Sequence, residues 1–119
     1  MAYEITKIDD AVICIRLSER MLRADQDAIQ ALAAELIEQG KKVRALVIAE
    51  NFLGWQRDED WGDVGFLLEH GDDIVKIAIV GDERWKDEAF LFTGKGLRAT
   101  EIEFYPLSAM QQAEHWVRQ

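Results

Sequence analysis

The 119-residue chain has only one cysteine, Cys14, and one proline, Pro106. A single cysteine cannot form an internal disulfide, so the sequence does not indicate an oxidising compartment. No apolar run approaches the ~20 residues that cross a bilayer, and Met1-Ala-Tyr-Glu lacks the basic start of a signal peptide. Linkers, repeats and low-complexity tracts are missing as well. These absences predict a single cytoplasmic domain over residues 1–119 that does not insert into a membrane.

Positive charge is also scarce, because 14 Lys and Arg residues stand against 23 Asp and Glu residues. The resulting formal net charge of −9 would repel phosphate backbones and anionic membrane surfaces. We therefore expect neither nucleic acid nor an anionic membrane as a partner. The composition predicts a small, acidic, soluble domain and by itself says nothing further about function.

The apolar residues of the chain alternate between strand periodicity and helix periodicity. This alternation predicts the element order β-β-α-β-α-β-α-β-α. The predicted strands are Tyr3–Ile8, Val12–Leu17, Val43–Ala49, Ile74–Val80 and Ala99–Tyr105, and the predicted helices lie at 25–39, at 58–70, after Asp82 and after Ser108.

The character of these strands predicts how the sheet is built. Val43–Ala49 and Ile74–Val80 are apolar on both faces, which is typical of central parallel strands. Ala99–Tyr105 alternates apolar and acidic residues, which indicates a half-exposed strand near a sheet edge. Asp9-Asp10 predicts a tight turn between the first two strands. Together the pattern predicts an α/β fold with a mixed, mostly parallel sheet of about five strands and about four flanking helices.

Several helix starts carry polar signals. Asp82 is expected to cap the third helix, in which Trp85, Ala89 and Phe92 share one face. Ser108 and Gln111 have the spacing of a capping box for the last helix.

Candidate catalytic motifs fail on spacing. Gly94-Lys95-Gly96 lacks the remaining residues of a phosphate-binding loop, and the acidic run at 58–63 has a glycine where a calcium ligand belongs. His70 and His115 have no partner at metal or triad spacing. Cys14, flanked by isoleucines in a strand, fits a small buried side chain better than a nucleophile. The sequence therefore predicts a non-enzymatic protein with no metal and no cofactor.

Four tryptophans are the least ordinary feature of the composition. Trp61, Trp85 and Trp116 each fall on an apolar helical stripe, so we expect them to fill core. Trp55 belongs to Asn51-Phe52-Leu53-Gly54-Trp55, which we interpret as a loop beyond a strand end. The aromatic residues of this segment either plug the top of the sheet or line a cleft. On the loop interpretation, Trp55→Ala should destabilise the fold much less than Trp85→Ala.

Several stretches taken together carry a family resemblance. They are LVIAENFLGW at 46–55, WGD at 61–63, IAIVGDERW at 77–85, FYPL at 104–107 and AEHWV at 113–117. In this order and spacing they resemble the SpoIIAA-like bacterial domain family, which is related to STAS and CRAL-TRIO domains. The resemblance implies a STAS-like fold, and it supplies no catalytic residue.

The resemblance also bears on regulation. Anti-sigma factor antagonists of this fold carry a phosphorylatable Ser or Thr at the start of the helix after the third strand, where phosphate switches partner binding. In this chain no Ser, Thr or Tyr occurs between Ser18 and Thr93. The phosphorylation switch is thus absent in its usual form.

Two functions remain open. One is a binding module that holds a small apolar, amphipathic or lipid-like ligand at a strand-end cleft. The residues expected at that cleft are Asn51, Phe52, Trp55, Asp82 and Trp85. The other is a protein-interaction or regulatory domain, as a homodimer or with another protein partner. An apolar pocket of roughly 300 Å³ or more would favour the ligand, whereas a flat apolar patch would favour the partner.

Overall fold

A five-stranded sheet with the order β1-β2-β3-β4-β5 organises the chain in the computed structural model, which describes residues 2–56, 73–95 and 99–119. The described residues contain three α-helices, and the predicted helix at 58–70, with Trp61 and His70, lies outside them. The strands are β1 Tyr3–Asp9, β2 Val12–Met21, β3 Val43–Trp55, β4 Ile74–Val80 and β5 Glu101–Tyr105, and the helices are α1 Arg23–Glu38, α2 Lys86–Thr93 and α3 Met110–Arg118.

The sheet is mixed and mostly parallel, which confirms the predicted fold class. The first pair, β1 and β2, is antiparallel, and every later pair is parallel. The stretches Val43–Ala49 and Ile74–Val80 lie in adjacent interior strands, as expected for segments that are apolar on both faces. β5 lies at the edge of the sheet, where Glu101 and Glu103 are exposed and Ile102 is buried.

Side chains alternate along the strands and divide the apolar core between two faces of the sheet. On β2, Ile13 and Ile15 belong to a core cluster that also contains Ala33 of α1. We call this side the α1 face. The intervening residue Cys14 belongs to a second cluster, which contains Val117 of α3. We call this side the α3 face. Successive side chains of a strand point to opposite faces of the sheet, so one strand contributes residues to both clusters.

Two cations on the α3 face hold the end of helix α3. Arg44 donates from a guanidinium nitrogen to the carbonyl oxygen of Val117 at 2.8 Å. Lys76 donates from Nζ to the carbonyl oxygen of Trp116 at 3.1 Å, and its Nζ also lies 4.7 Å from the Trp116 ring centroid. The last carbonyls of a helix have no partner within the helix, and cations at this end also complement the helix dipole. These two basic residues, which lie in the otherwise apolar stretches 43–49 and 74–80, therefore anchor α3.

The structure corrects the prediction that residues 51–55 form a loop. β3 continues to Trp55, and its second half pairs with an extension of β2, joining Glu19 to Phe52 and Met21 to Trp55. The register shifts near Glu19, where Glu19 and Asn51 have φ of 58° and 56°. Such irregularities bend a strand without ending it. In the sequence, Asn51 and Gly54 indicated that the strand ends before them. In the structure they lie within β3 and accommodate its bend.

Of three predictions about the ends of helices and strands, two are confirmed and one is wrong. Asp82 accepts a hydrogen bond from the Arg84 backbone N–H at 3.0 Å, capping a 3₁₀ turn that leads into α2. The β1–β2 hairpin is tight, although its turn lies one residue later than predicted because Asp9 pairs with Val12. The capping box at Ser108 is wrong. α3 begins at Met110 without a side-chain cap, and Ser108 lies in a preceding 3₁₀ turn.

Candidate functional site

Four aromatic rings meet at the carboxyl ends of β3 and β4. We call Phe52, Trp55, Trp85 and Phe92 the aromatic cluster. Trp55 stacks on Phe92 with ring centroids 4.5 Å apart and meets Phe52 edge to face at 5.0 Å. Trp85 meets Phe52 and Trp55 edge to face at 5.4 and 6.3 Å. Edge-to-face and offset contacts at these distances are favourable, so the four rings form one packed unit.

Gly54 gives Trp85 its place in the aromatic cluster. A Cβ at position 54 would lie 3.0 Å from both Cζ3 and Cη2 of Trp85, and the φ of Gly54 is +99°. Only glycine combines this backbone conformation with so close an approach of an indole. The guanidinium of Arg84 lies 4.8 Å from the Trp85 ring centroid. The indole of Trp85 therefore lies between the β3 backbone and a cation.

A cavity of about 450 Å³ extends from the aromatic cluster along the α1 face of the sheet. Strand residues such as Leu17 and Val47 form its floor, and Ile29 and Ala33 of α1 form part of its wall. Protein interiors contain few voids larger than a water molecule. The volume also lies within the range of ligand sites, roughly 300–1,000 Å³. The α1 face is therefore hollow enough to hold a small molecule.

The described residues that line the cavity carry few polar groups. Besides apolar side chains and glycines they include only Gln26, Gln30 and Thr93, and none of them is charged. The Thr93 hydroxyl donates to the Ala89 carbonyl oxygen at 2.7 Å. The side-chain amides of Gln26 and Gln30 make no hydrogen bond with any residue that the structure describes. Among the described lining residues the cavity is thus mostly apolar, and the amides of α1 are the unpartnered side chains there that can both donate and accept a hydrogen bond.

The predicted site residues divide into two groups. Phe52, Trp55 and Trp85 line the cavity and contact one another. Asn51 is exposed in the irregular part of β3, and Asp82 is exposed with its carboxylate on the Arg84 N–H. The structure therefore brings the three aromatic residues together and leaves the two polar residues outside the cavity lining.

Sequence reasoning missed three members of the site. Gln26 and Gln30 are one helical turn apart and share a face of α1 with Ile29 and Ala33. A polar pair at this spacing beside an apolar helical stripe was the available signal. Phe92 was predicted to share a helical face with Trp85, which was expected to fill core but is half-buried and lines the cavity. The stacking of Phe92 on Trp55 had no sequence signal.

Reactive groups lie away from the cavity. Cys14 is buried on the α3 face, and burial raises the pKa of its thiol. His115 is exposed on α3. Within residues 2–56, 73–95 and 99–119, no three His, Cys, Asp or Glu side chains are grouped so that they could hold a metal ion. Nor does that part of the chain contain a helix of the length and apolarity that crossing a membrane requires.

The whole fold resembles two solved structures. One is a crystal structure of an uncharacterized protein with a SpoIIAA-like fold from Shewanella loihica PV-4, at 20% identity and a TM-score of 0.66 over 98% of this chain and 92% of that one. The other is the anti-sigma factor antagonist SpoIIAA in its unphosphorylated form, at 17% identity and a TM-score of 0.59 over 98% of each chain. At these identities the likeness shows the fold.

Family membership comes from a comparison of the sequence with family models. The comparison with curated proteins gave no match. The SpoIIAA-like family model matches residues 12–118, which include every described element except β1. This confirms the family that the sequence motifs resemble, and the chain belongs to the SpoIIAA-like family.

Proposed function

We propose that this chain is a non-enzymatic, cytoplasmic single-domain protein that binds a small apolar or amphipathic molecule in the cavity on the α1 face. The observation that carries the proposal is the volume of about 450 Å³ next to an apolar sheet. Side chains bordering an empty space lack van der Waals partners. A ligand of matching shape would supply those contacts and would remove its own apolar surface from water.

The aromatic cluster supports the same location. In open parallel sheets, ligands bind beyond the carboxyl ends of the strands. Phe52, Trp55 and Trp85 are at this edge and line the cavity, so in this proposal they contact the bound molecule. Asn51 and Asp82 are exposed at the same edge, where they flank the cavity without lining it.

Filling the cavity provides the test. Ala33 is 5% exposed and lines the cavity, so Ala33→Leu should occupy part of the volume that a ligand needs. Ala31→Leu is the matched control, because Ala31 is exposed on the same helix. We expect an uncharged apolar fluorescent probe, N-phenyl-1-naphthylamine, to quench tryptophan emission in the parent chain and in Ala31→Leu, and to do so at least about tenfold more weakly in Ala33→Leu.

Native mass spectrometry of the purified chain complements the probe experiment, because it reports a copurified molecule directly. Equal probe binding by Ala33→Leu and Ala31→Leu would place the binding surface outside the cavity. Failure of the parent chain to bind either the probe or any copurified molecule would contradict the proposal.

A second proposed function, regulation through a protein partner or a homodimer, has its own observation. Leu53 and Leu91 are 56% and 76% exposed, and Leu91 also borders the cavity. Exposed apolar side chains mark an interaction surface when they form a contiguous patch. The similar fold of SpoIIAA, an anti-sigma factor antagonist, supports this function. Sedimentation of the parent chain and of a Leu53→Asp, Leu91→Asp variant tests it. We expect association by the parent alone, and a monomer at all concentrations would exclude the homodimer.

The regulatory function, if it operates here, does not use phosphorylation between Ser18 and Thr93, because that stretch has no hydroxyl side chain. Incubation with ATP and a kinase of the anti-sigma type should therefore leave the mass unchanged. Stoichiometric phosphorylation of Thr93, Thr100 or Ser108 would restore a phosphorylation switch at a different position.

A further inference from the structure

We infer that the molecule bound in the cavity carries an uncharged head group with a hydrogen-bond donor and acceptor, held by the side-chain amides of Gln26 and Gln30. This inference rests on the proposed function, because it concerns the chemistry of the same cavity. Both amides line an otherwise apolar wall and make no hydrogen bond with the described residues. Gln26 and Gln30 are only partly buried. A bound molecule that displaced water from their amides without replacing its hydrogen bonds would bind unfavourably, and a polar head group would supply those bonds.

The two glutamines are placed to act together. Residues four apart on a helix are neighbours, with Cβ atoms about 5–6 Å from one another. Each amide offers two N–H donors and one carbonyl acceptor, so the pair matches a hydroxyl, a carboxamide or a glycerol-type head group. Thr93, the third polar side chain of the lining, already donates its hydroxyl proton to Ala89. The amides therefore remain for a ligand, and unlike the indole N–H groups of Trp55 and Trp85 they offer an acceptor as well as a donor.

The lack of charged side chains among the described lining residues disfavours ionised head groups. None of the described residues that line the cavity is charged, so a carboxylate or an ammonium would lose its water without gaining an ion pair, which is strongly unfavourable. Asp25, next to Gln26 in sequence, is 7% exposed and accepts a hydrogen bond from the Leu22 N–H at 2.9 Å. Its negative charge and the net charge of −9 oppose an anionic head group further.

A series of ligands with one chain and different head groups tests the inference on the parent protein. The probes are octane, 1-octanol, octanoate and octylammonium, and binding is followed by tryptophan fluorescence and by calorimetry. We expect 1-octanol to bind most tightly and octanoate at least about tenfold more weakly. Octanoate or octylammonium binding as tightly as 1-octanol would overturn the neutral head group while leaving the cavity proposal intact. If none of the four probes binds, the result would contradict the proposal that the cavity holds a ligand.

Variants of the glutamines locate the head group. Gln26→Leu with Gln30→Leu should weaken 1-octanol binding by about tenfold, which corresponds to the loss of one or two hydrogen bonds, and should leave octane binding unchanged. The single variant Gln30→Leu should show part of the same effect if the double variant folds poorly. Gln112→Leu is the control, since Gln112 is exposed on α3. Unchanged 1-octanol binding in both glutamine variants would show that the amides do not hold the head group.

Discussion

The two faces of the sheet are both apolar, but they are packed differently. Among the described residues, the nine-residue helix α3 packs on the α3 face, where Ala78, Val80, Ala113 and Val117 have no exposed surface. On the α1 face, larger side chains leave a cavity of about 450 Å³. Val43 is only 1% exposed and still lines that cavity. The comparison teaches that burial from solvent and close packing are separate properties, because side chains of the α1 face are buried and still border a cavity.

The largest expected effect comes from shortening one leucine on each face. Leu46 on the α3 face is 3% exposed, and Leu17 on the α1 face is 6% exposed and lines the cavity. Leu46→Ala should cost about 3–5 kcal/mol of unfolding free energy, and Leu17→Ala about 2–3 kcal/mol, because a side chain beside a cavity has fewer contacts to lose. Urea denaturation measures both. Equal losses would mean that the faces are packed alike.

The next comparison concerns the aromatic cluster. Trp55 belongs to β3 and stacks on Phe92 at 4.5 Å. Among the described residues it has three ring neighbours, whereas Trp85 has two. We expect Trp55→Ala and Trp85→Ala each to cost about 2–3 kcal/mol, somewhat below a fully buried tryptophan because both are half-buried. Thermal unfolding of the two variants gives the comparison. If Trp55→Ala lowers the unfolding free energy by less than about 1 kcal/mol, Trp55 contributes little to the stability of the fold, as the loop interpretation predicted.

Enlarging one helical alanine on each face sharpens the difference in packing. Ala113→Leu should cost about 1–3 kcal/mol, because Ala113 has no exposed surface and three more carbons would have to displace its buried neighbours. Ala33→Leu should change the unfolding free energy by less than about 0.5 kcal/mol or raise it, because the new side chain enters the cavity. Chemical denaturation of both variants measures whether each substitution raises or lowers the unfolding free energy. A destabilised Ala33→Leu would show that the cavity does not accept added volume.

The smallest effect is a pH dependence on the α3 face. Burial raises the pKa of the Cys14 thiol above its ordinary value of 9.0. The unfolded chain therefore releases this proton first as the pH rises. Cys14 accordingly contributes stability that is fully present below about pH 9 and is lost above it. Urea midpoints between neutral and alkaline pH should fall more steeply for the parent chain than for Cys14→Ala. Parallel curves would mean that the thiol titrates alike in both states.

Much of the fold could be predicted because its signals are local. The starts of β3 and β4, the stripe of α1 and the exposed edge of β5 follow from which positions are apolar, since strands and helices have different periods. The continuation of β3 through Asn51 and Gly54 could not be predicted in this way. It depends on pairing with β2 around the bend near Glu19, and that pairing joins residues far apart in the sequence.

The candidate site was predictable only in part. Phe52, Trp55 and Trp85 were expected at the carboxyl edge of the sheet, and they line the cavity together. Gln26 and Gln30 were not expected there, because a polar residue beside an apolar stripe faces either solvent or the interior according to how the helix is rotated against the sheet. That rotation depends on packing between elements and has no signature in a single helix.

The sequence by itself determined the family, the α/β order, the two central parallel strands and the acidic edge strand, because motif order and hydrophobic periodicity are properties of neighbouring residues. The tertiary structure alone decided that Trp55 belongs to a strand, that four rings form one cluster and that the α1 face contains a cavity. Contacts and empty volumes depend on the distances between packed elements, and composition and periodicity do not specify those distances.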